Sequence, residues 1–238
     1  MKKVLLIIVL IIVIALGFTQ VALPAIAERT VESELSATLQ TDDVDASVSS
    51  FPAVLMLMGH FGHIDVTAKD ARLGDVRVES MTLIGDAVEI PSDVLFGKAT
   101  EKDAGKIRIK SANRLELRGI VTADSLKDII ERKVDKVHDV DVTLGADRAV
   151  VEGKAKLMGQ DIDVHIEGRI YGEGNAIFFK MTRLDLKHSI FGLGGISGDM
   201  FGDIKLVDFT NMELPVELDN IEQQEGKVVL TARRHQGK

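Results

Sequence analysis

The chain contains no cysteine, no tryptophan and a single tyrosine in 238 residues. Without cysteine there is no disulfide scaffold, no thiol nucleophile and no Cys-ligated zinc site. Aromatic residues make up 4% of the chain, too few for the stacking platforms that hold single-stranded nucleic acid. A net charge of −8 repels phosphate backbones, so no nucleic-acid partner is expected. Four prolines and 21 glycines are too few for a low-complexity linker. What is present is 45% hydrophobic and 28% charged, the balance of a folded globular protein of one domain or two small ones.

The first strong pattern is at the N-terminus. Lys2 and Lys3 precede residues 4–18, which carry no polar side chain. A basic end followed by an apolar core is the plan of an export signal, and the positive end stays on the cytoplasmic side. Ala25-Ile26-Ala27 fits a small-x-small cleavage site, after which the exported part would begin at Glu28. Against cleavage, residues 4–23 are broken only by Thr19-Gln20. At ~1.5 Å per residue that run reaches roughly 30 Å, the thickness of a bilayer core. Leu23, Ile26, Ala27, Val31, Leu35 and Leu39 then recur at helical spacing, and Pro24 suits a first helical turn. We therefore read residues 1–23 as an uncleaved signal or transmembrane anchor and residues 24–235 as a single domain outside the cytoplasmic membrane. Cleavage and export is the alternative.

From Thr41 onward the dominant period is two, the mark of strands. Val44, Ala46 and Val48 alternate with polar residues, as do Ile64, Val66 and Ala68. Val76 and Val78 share one parity and Met81 and Leu83 the other, which places a bulge near Glu79-Ser80. Ile107, Ile109, Leu115 and Leu117 fit one long strand whose other face carries Lys106, Arg108, Lys110, Arg114 and Arg118. Further strands fall around Val142, Val151, Val164, Phe179, Leu218 and Leu230. Leu126, Ile129, Ile130, Val134 and Val137 form a second helical stripe with Thr122 as its N-cap. A short apolar segment opens at Phe51-Pro52 and ends at Gly59. The expected fold is α+β: a long curved antiparallel sheet, a super-roll or tube, wrapped around one long amphipathic helix with a second helix, plus the N-terminal anchor. Its inward strand faces are aliphatic, and the helices either fill the concave side or leave an apolar pocket.

Three stretches resemble a known family. Ser50-Phe51-Pro52, with Leu55, Leu57 and Gly59 and then Ile64-Asp65-Val66-Thr67-Ala68, is similar to the opening signature of the LmeA-like phospholipid-binding proteins. Gly119-Ile120-Val121-Thr122-Ala123-Asp124-Ser125-Leu126 resembles their strand-to-helix step. Leu214-Pro215-Val216-Glu217-Leu218 and Gly226-Lys227-Val228-Val229-Leu230-Thr231-Ala232 resemble their closing hairpin. The likeness runs from about Pro24 to Ala232, with no motif between Leu186 and Phe209. It implies a sheet wrapped around a long helix, as in tubular lipid-binding folds, and phospholipid binding at the outer face of a bacterial membrane. It brings no catalytic residue.

Two apolar segments are candidate lipid sites. The first holds Leu55, Met56, Met58 and Phe61; methionines adapt to irregular apolar shapes, and the other reading is a plain core plug. The second is Gly-rich and carries Phe191, Leu193, Met200 and Phe201, a flap at a pocket mouth or else a loop folded on the core. Lys106, Arg108 and Lys110 are candidates for anionic headgroups, or belong to a solvated strand face. His60, His63 and Asp65 lack a third ligand cluster, so neither metal nor cofactor is expected. Gly195-Ile196-Ser197-Gly198-Asp199 misses the nucleophile elbow, and no phosphate loop appears. The expected protein is not an enzyme. It holds or shuttles a membrane phospholipid in an aliphatic cleft; the alternative is a structural envelope protein with a protein partner and no lipid.

Overall fold

The computed structural model describes residues 2–73, 76–91, 109–133, 137–157, 160–187, 196–197, 203–208 and 216–234, without the side chains of residues 2–16, 73, 133, 157, 160, 187, 196 and 197. The fold is α+β and mostly antiparallel, with one sheet curled into a half-barrel. Helix α1 (Lys2–Leu39) leads into β1 (Val44–Ser49), a 3-10 helix (Ala53–Met58), β2 (His60–Leu73), β3 (Val76–Glu89) and β4 (Arg114–Thr122). Helix α2 (Ala123–Lys133) precedes β5 (Val137–Leu144), β6 (Ala149–Leu157), β7 (Gln160–Glu173), β8 (Ala176–Lys187), β9 (Ile196–Ser197) and β10 (Ile204–Asp208). A closing hairpin, β11 (Glu217–Gln224) and β12 (Lys227–Arg233), returns to the first sheet. The first sheet has the order β1-β2-β3-β4-β12-β11, and the second β10-β8-β7-β6-β5 with β9 on β8.

The alternation read in the sequence is the alternation of burial. Ala46, Val48, Ile64, Val66, Ala68, Val76, Val78, Met81 and Leu83 all face one core. The parity does switch at Glu79-Ser80, but without a bulge. Lys69 pairs with Ser80 and Ala71 with Val78, so the register is unbroken. Instead Asp70 takes a left-handed φ of 48° opposite Glu79, and both strands change face together. Such a paired flip leaves no unpaired extra residue.

Four expectations are corrected. Pro24 lies inside α1, not at a helix start; the hydrogen bond its ring removes is offset because α1 docks on β1 through side chains on both sides of it. The strand expected across residues 106–118 is not continuous. Residues 109–113 meet β3 through an isolated Glu89–Ser111 bridge, and β4 begins at Arg114. The second helix stops at Lys133, and Val137 opens β5. Finally, the sheet meets α1 as an edge contact, with α1 packed on β1, the 3-10 helix and β2.

Leu35 and Leu39 are the buried end of the α1 stripe, each contributing about 1.5–3 kcal/mol by burial. Thr122 caps α2 as expected: its Oγ1 accepts the Ser125 N–H at 3.3 Å. β11 joins the sheets. Gln223 accepts the Ile170 N–H at 3.1 Å and donates to the Gly145 carbonyl at 2.6 Å.

Candidate functional site

β1 is an edge strand, and an edge presents unpaired N–H groups. Here α1 answers them with side chains on one of its faces. Glu32 Oε1 accepts the Ala46 N–H at 3.3 Å, and Glu28 Oε1 accepts the Val48 N–H at 3.2 Å. Two turns earlier Gln20 holds the next loop, its Nε2 donating to the Ser50 carbonyl and its Oε1 accepting the Ala53 N–H, both at 2.9 Å. These three residues fix where the 3-10 helix sits relative to α1.

The 3-10 helix starts with the Leu55 N–H donating to the Pro52 carbonyl at 3.1 Å. It ends at Gly59, whose φ of 84° suits glycine and whose N–H closes on the Met56 carbonyl at 2.9 Å. Ala53 and Met56 turn into the core, while Phe51, Val54, Leu57 and Met58 face solvent. Phe18, Val21 and Ile26 on α1 are exposed as well, Phe18 at 73% and Phe51 at 88%. Between the two elements lies an apolar cleft of about 80 Å³, walled by Leu23, Ile26 and Ala27 on one side and Met56, Leu57 and Phe61 on the other. Scattered apolar surface residues are ordinary, but exposed Ile26 and Leu57 in the walls of an apolar cleft, with Phe51, Val54 and Met58 exposed on the same short segment, form a brim that marks an interaction site.

Of the expected lipid residues, Met56 and Phe61 wall this cleft, Leu55 is half-buried beside it and Met58 lies on the brim. Phe191, Leu193, Met200 and Phe201 lie outside the described residues; within their segment, β9 pairs with β8. Lys106 and Arg108 also lie outside them. Lys110 is bonded to Glu89, whose carboxyl is held below its usual range by Lys110 and then by Ser111. Sequence reasoning missed Ile26, taken for a core position, and Gln20, Glu28 and Glu32. An acidic or amide residue on the helix face toward an edge strand was the available signal.

The imidazoles show another arrangement. His63 Nδ1 meets Asp86 Oδ1 at 2.7 Å. On the second sheet a polar recess of about 270 Å³ is lined by Asp139, Glu152, Lys154, Asp163 and His165. His165 sits between Glu152 at 3.0 Å and Glu167 at 3.3 Å. Lys154 donates to Asp139 at 3.0 Å, lowering the carboxyl and raising the ammonium. The recess lining holds no hydroxyl or thiol among the described residues. Among the described residues no three metal-binding side chains cluster.

The model of the LmeA-like phospholipid-binding family matches residues 18–233 of the chain. The chain belongs to this family. The match takes in the brim, the cleft, both sheets and the closing hairpin. The family is a phospholipid-binding one and not a known enzyme family. No curated protein and no solved structure matches the chain. Among the described residues no helix is long and apolar enough to cross a membrane; the expected anchor lies mostly in residues 1–16, whose side chains are outside them.

Proposed function

We propose that this protein grips a membrane phospholipid at the cleft between α1 and the 3-10 helix, with its body on the extracytoplasmic side and its N-terminal helix as tether. The observation that carries the reading is the apolar cleft with exposed Ile26 and Leu57 in its walls and exposed Phe51, Val54 and Met58 on the short segment beside it. The brim continues from the helix whose start is the apolar run 4–18, so the same end of the molecule meets the bilayer. Burying apolar surface there yields about 25 cal/mol per Å², offset by the cost of ordering the lipid.

The cleft's size bears on how lipid is held. At about 80 Å³ it is well below the roughly 300–1,000 Å³ of enclosed ligand sites. It takes part of one acyl chain, and the rest of the lipid stays against the brim and the leaflet. This is a shallow grip that presents a lipid. Retention of the N-terminus is supported by Gln20 and Leu23, which cleavage after Ala27 would remove from the docked helix.

Native mass spectrometry of the full chain released from detergent tests the reading. A bound phospholipid is expected, and reduced capture in Leu57→Asp and Met58→Asp. A bare chain that also takes no lipid from mixed micelles overturns it. The small cleft favours a second reading, a structural envelope protein whose brim covers a protein partner; a lipid-free chain that co-purifies with such a partner supports that instead.

A further inference from the structure

The α1 wall of the cleft is apolar at one end and polar at the other. Leu23, Ile26 and Ala27 form its start, and Thr30, about one turn on, is the polar residue of the lining among the described residues. Thr30 Oγ1 donates back to the Ile26 carbonyl at 3.0 Å. Arg29 and Ser33 are exposed at this same level of the helix. Helical side chains lean toward the helix N-terminus, so Arg29 lies over the turn of Ala25 and Ile26. Ile26 is itself an exposed wall of the cleft. Residues three apart on a helix are surface neighbours, so Arg29 borders the cleft mouth on the solvent side.

Arg29 is a cation that the fold leaves unmatched. The helix positions three and four away are Ala25, Ile26, Glu32 and Ser33. Glu32 is the only carboxylate among them, and its Oε1 accepts the Ala46 N–H of β1. No ion pair reaches Arg29 among the described residues. A guanidinium takes oxyanions such as phosphate with paired N–H groups. The helix also sets a depth. Residues 4–27 carry no charged side chain, and Lys3 and Arg29 are the cations on either side of them in one continuous helix. From Lys3 to Arg29 the rise is roughly 39 Å at ~1.5 Å per residue, against ~40–45 Å for a bilayer with its headgroup layers. With Lys3 at the inner surface, Arg29 stands at the level of the outer headgroups.

We propose that Arg29 receives the phosphate of the lipid whose chain enters the cleft, with the Ser33 hydroxyl beside it. This rests on the cleft and tether readings above. The shared chemistry is a phosphate group; the lipid is its source because Arg29 borders an apolar cleft at headgroup depth.

The test is competition by native mass spectrometry, with the full chain in neutral detergent offered equal amounts of phosphatidylcholine and diacylglycerol of the same acyl chains. Phosphatidylcholine has no net charge, so general attraction between opposite net charges does not enter. The native chain is expected to prefer the phospholipid by about fivefold, the upper end for an exposed charge pair. Arg29→Gln is expected to lose the preference, to keep diacylglycerol capture and to melt with the native chain. Arg29→Lys keeps part of the preference. Arg72→Gln, which removes an exposed arginine of β2 outside the cleft, is expected to keep all of it. Equal capture of both lipids by the native chain overturns the inference and leaves lipid binding intact; capture of neither overturns both. A preference that survives in Arg29→Gln, or that Arg72→Gln loses as fully, also overturns the inference. An inorganic-phosphate adduct that depends on Arg29, in a chain with no preference between the lipids, makes free phosphate the occupant and overturns the lipid as the source.

Discussion

Gln20 and Ser50 are thirty positions apart in the chain, and the Gln20 amide donates to the Ser50 carbonyl at 2.9 Å. The other atom of the same amide accepts from Ala53, so one side chain bridges both ends of the turn that leads into the 3-10 helix. Gln20→Leu removes both bonds and leaves a half-buried carbonyl and N–H without partners. A loss of about 1–3 kcal/mol is expected. Hydrogen exchange at Ala53 is expected to quicken while exchange at Val142 in the second sheet stays unchanged.

Glu28 and Glu32 close the β1 edge. Glu28→Ala with Glu32→Ala uncovers the N–H groups of Val48 and Ala46 and frees a strand edge to pair with another chain. Light scattering of the detergent-solubilised double variant is expected to show self-association on warming. Glu28→Gln with Glu32→Gln keeps an acceptor at each place and is expected to remain dispersed; scattering equal in both variants would argue against edge protection.

Gly168 sits at the β7–β8 register shift. A Cβ there would lie 2.4 Å from the Lys180 carbonyl oxygen and 2.4 Å from Phe179 Cζ. Gly168→Ala is expected to cost at least about 1–3 kcal/mol, the usual range for overpacking, because a backbone atom cannot swing aside. At Gly119 the nearest atom is Leu230 Cδ1 at 3.9 Å, and Gly119→Ala is expected to change stability by under about 1 kcal/mol. Chemical denaturation of the two variants compares them directly.

Tyr171 gives an optical reading of a single contact, since the chain has no other tyrosine and no tryptophan. Its phenol donates to Asp203, and that bond, with burial and the Asp203 charge, pushes it up to about 12 from 10.0. A raised pKa in the fold means that the contact's contribution is complete below pH 10 and is lost as pH rises through about 12. Phenolate absorbance is expected to appear near pH 12 in the native chain and closer to pH 10 in Asp203→Asn.

Much of the fold is readable in the sequence because its signals are local. The alternation of Val44, Ala46 and Val48 is a strand with one buried face, Thr122 is a cap three residues before a waiting N–H, and Gly59 is a stop that needs a left-handed residue. The site is only partly readable because it depends on sheet order. Glu28 and Glu32 look like solvent-facing carboxylates until β1 is placed as an edge beside them. Ile26 fits a core stripe until the 3-10 helix leaves it on the brim.

The most direct test of the account uses the absence of tryptophan. Phe51→Trp in the full chain, reconstituted into phospholipid vesicles, places one fluorophore on the brim. Glu225→Trp places one at the β11–β12 turn, at the opposite end of the first sheet. Acyl-brominated phospholipid is expected to quench the Trp at position 51 strongly and to leave the one at position 225 bright. Unquenched emission from position 51, or equal quenching at both positions, would contradict a brim that meets lipid.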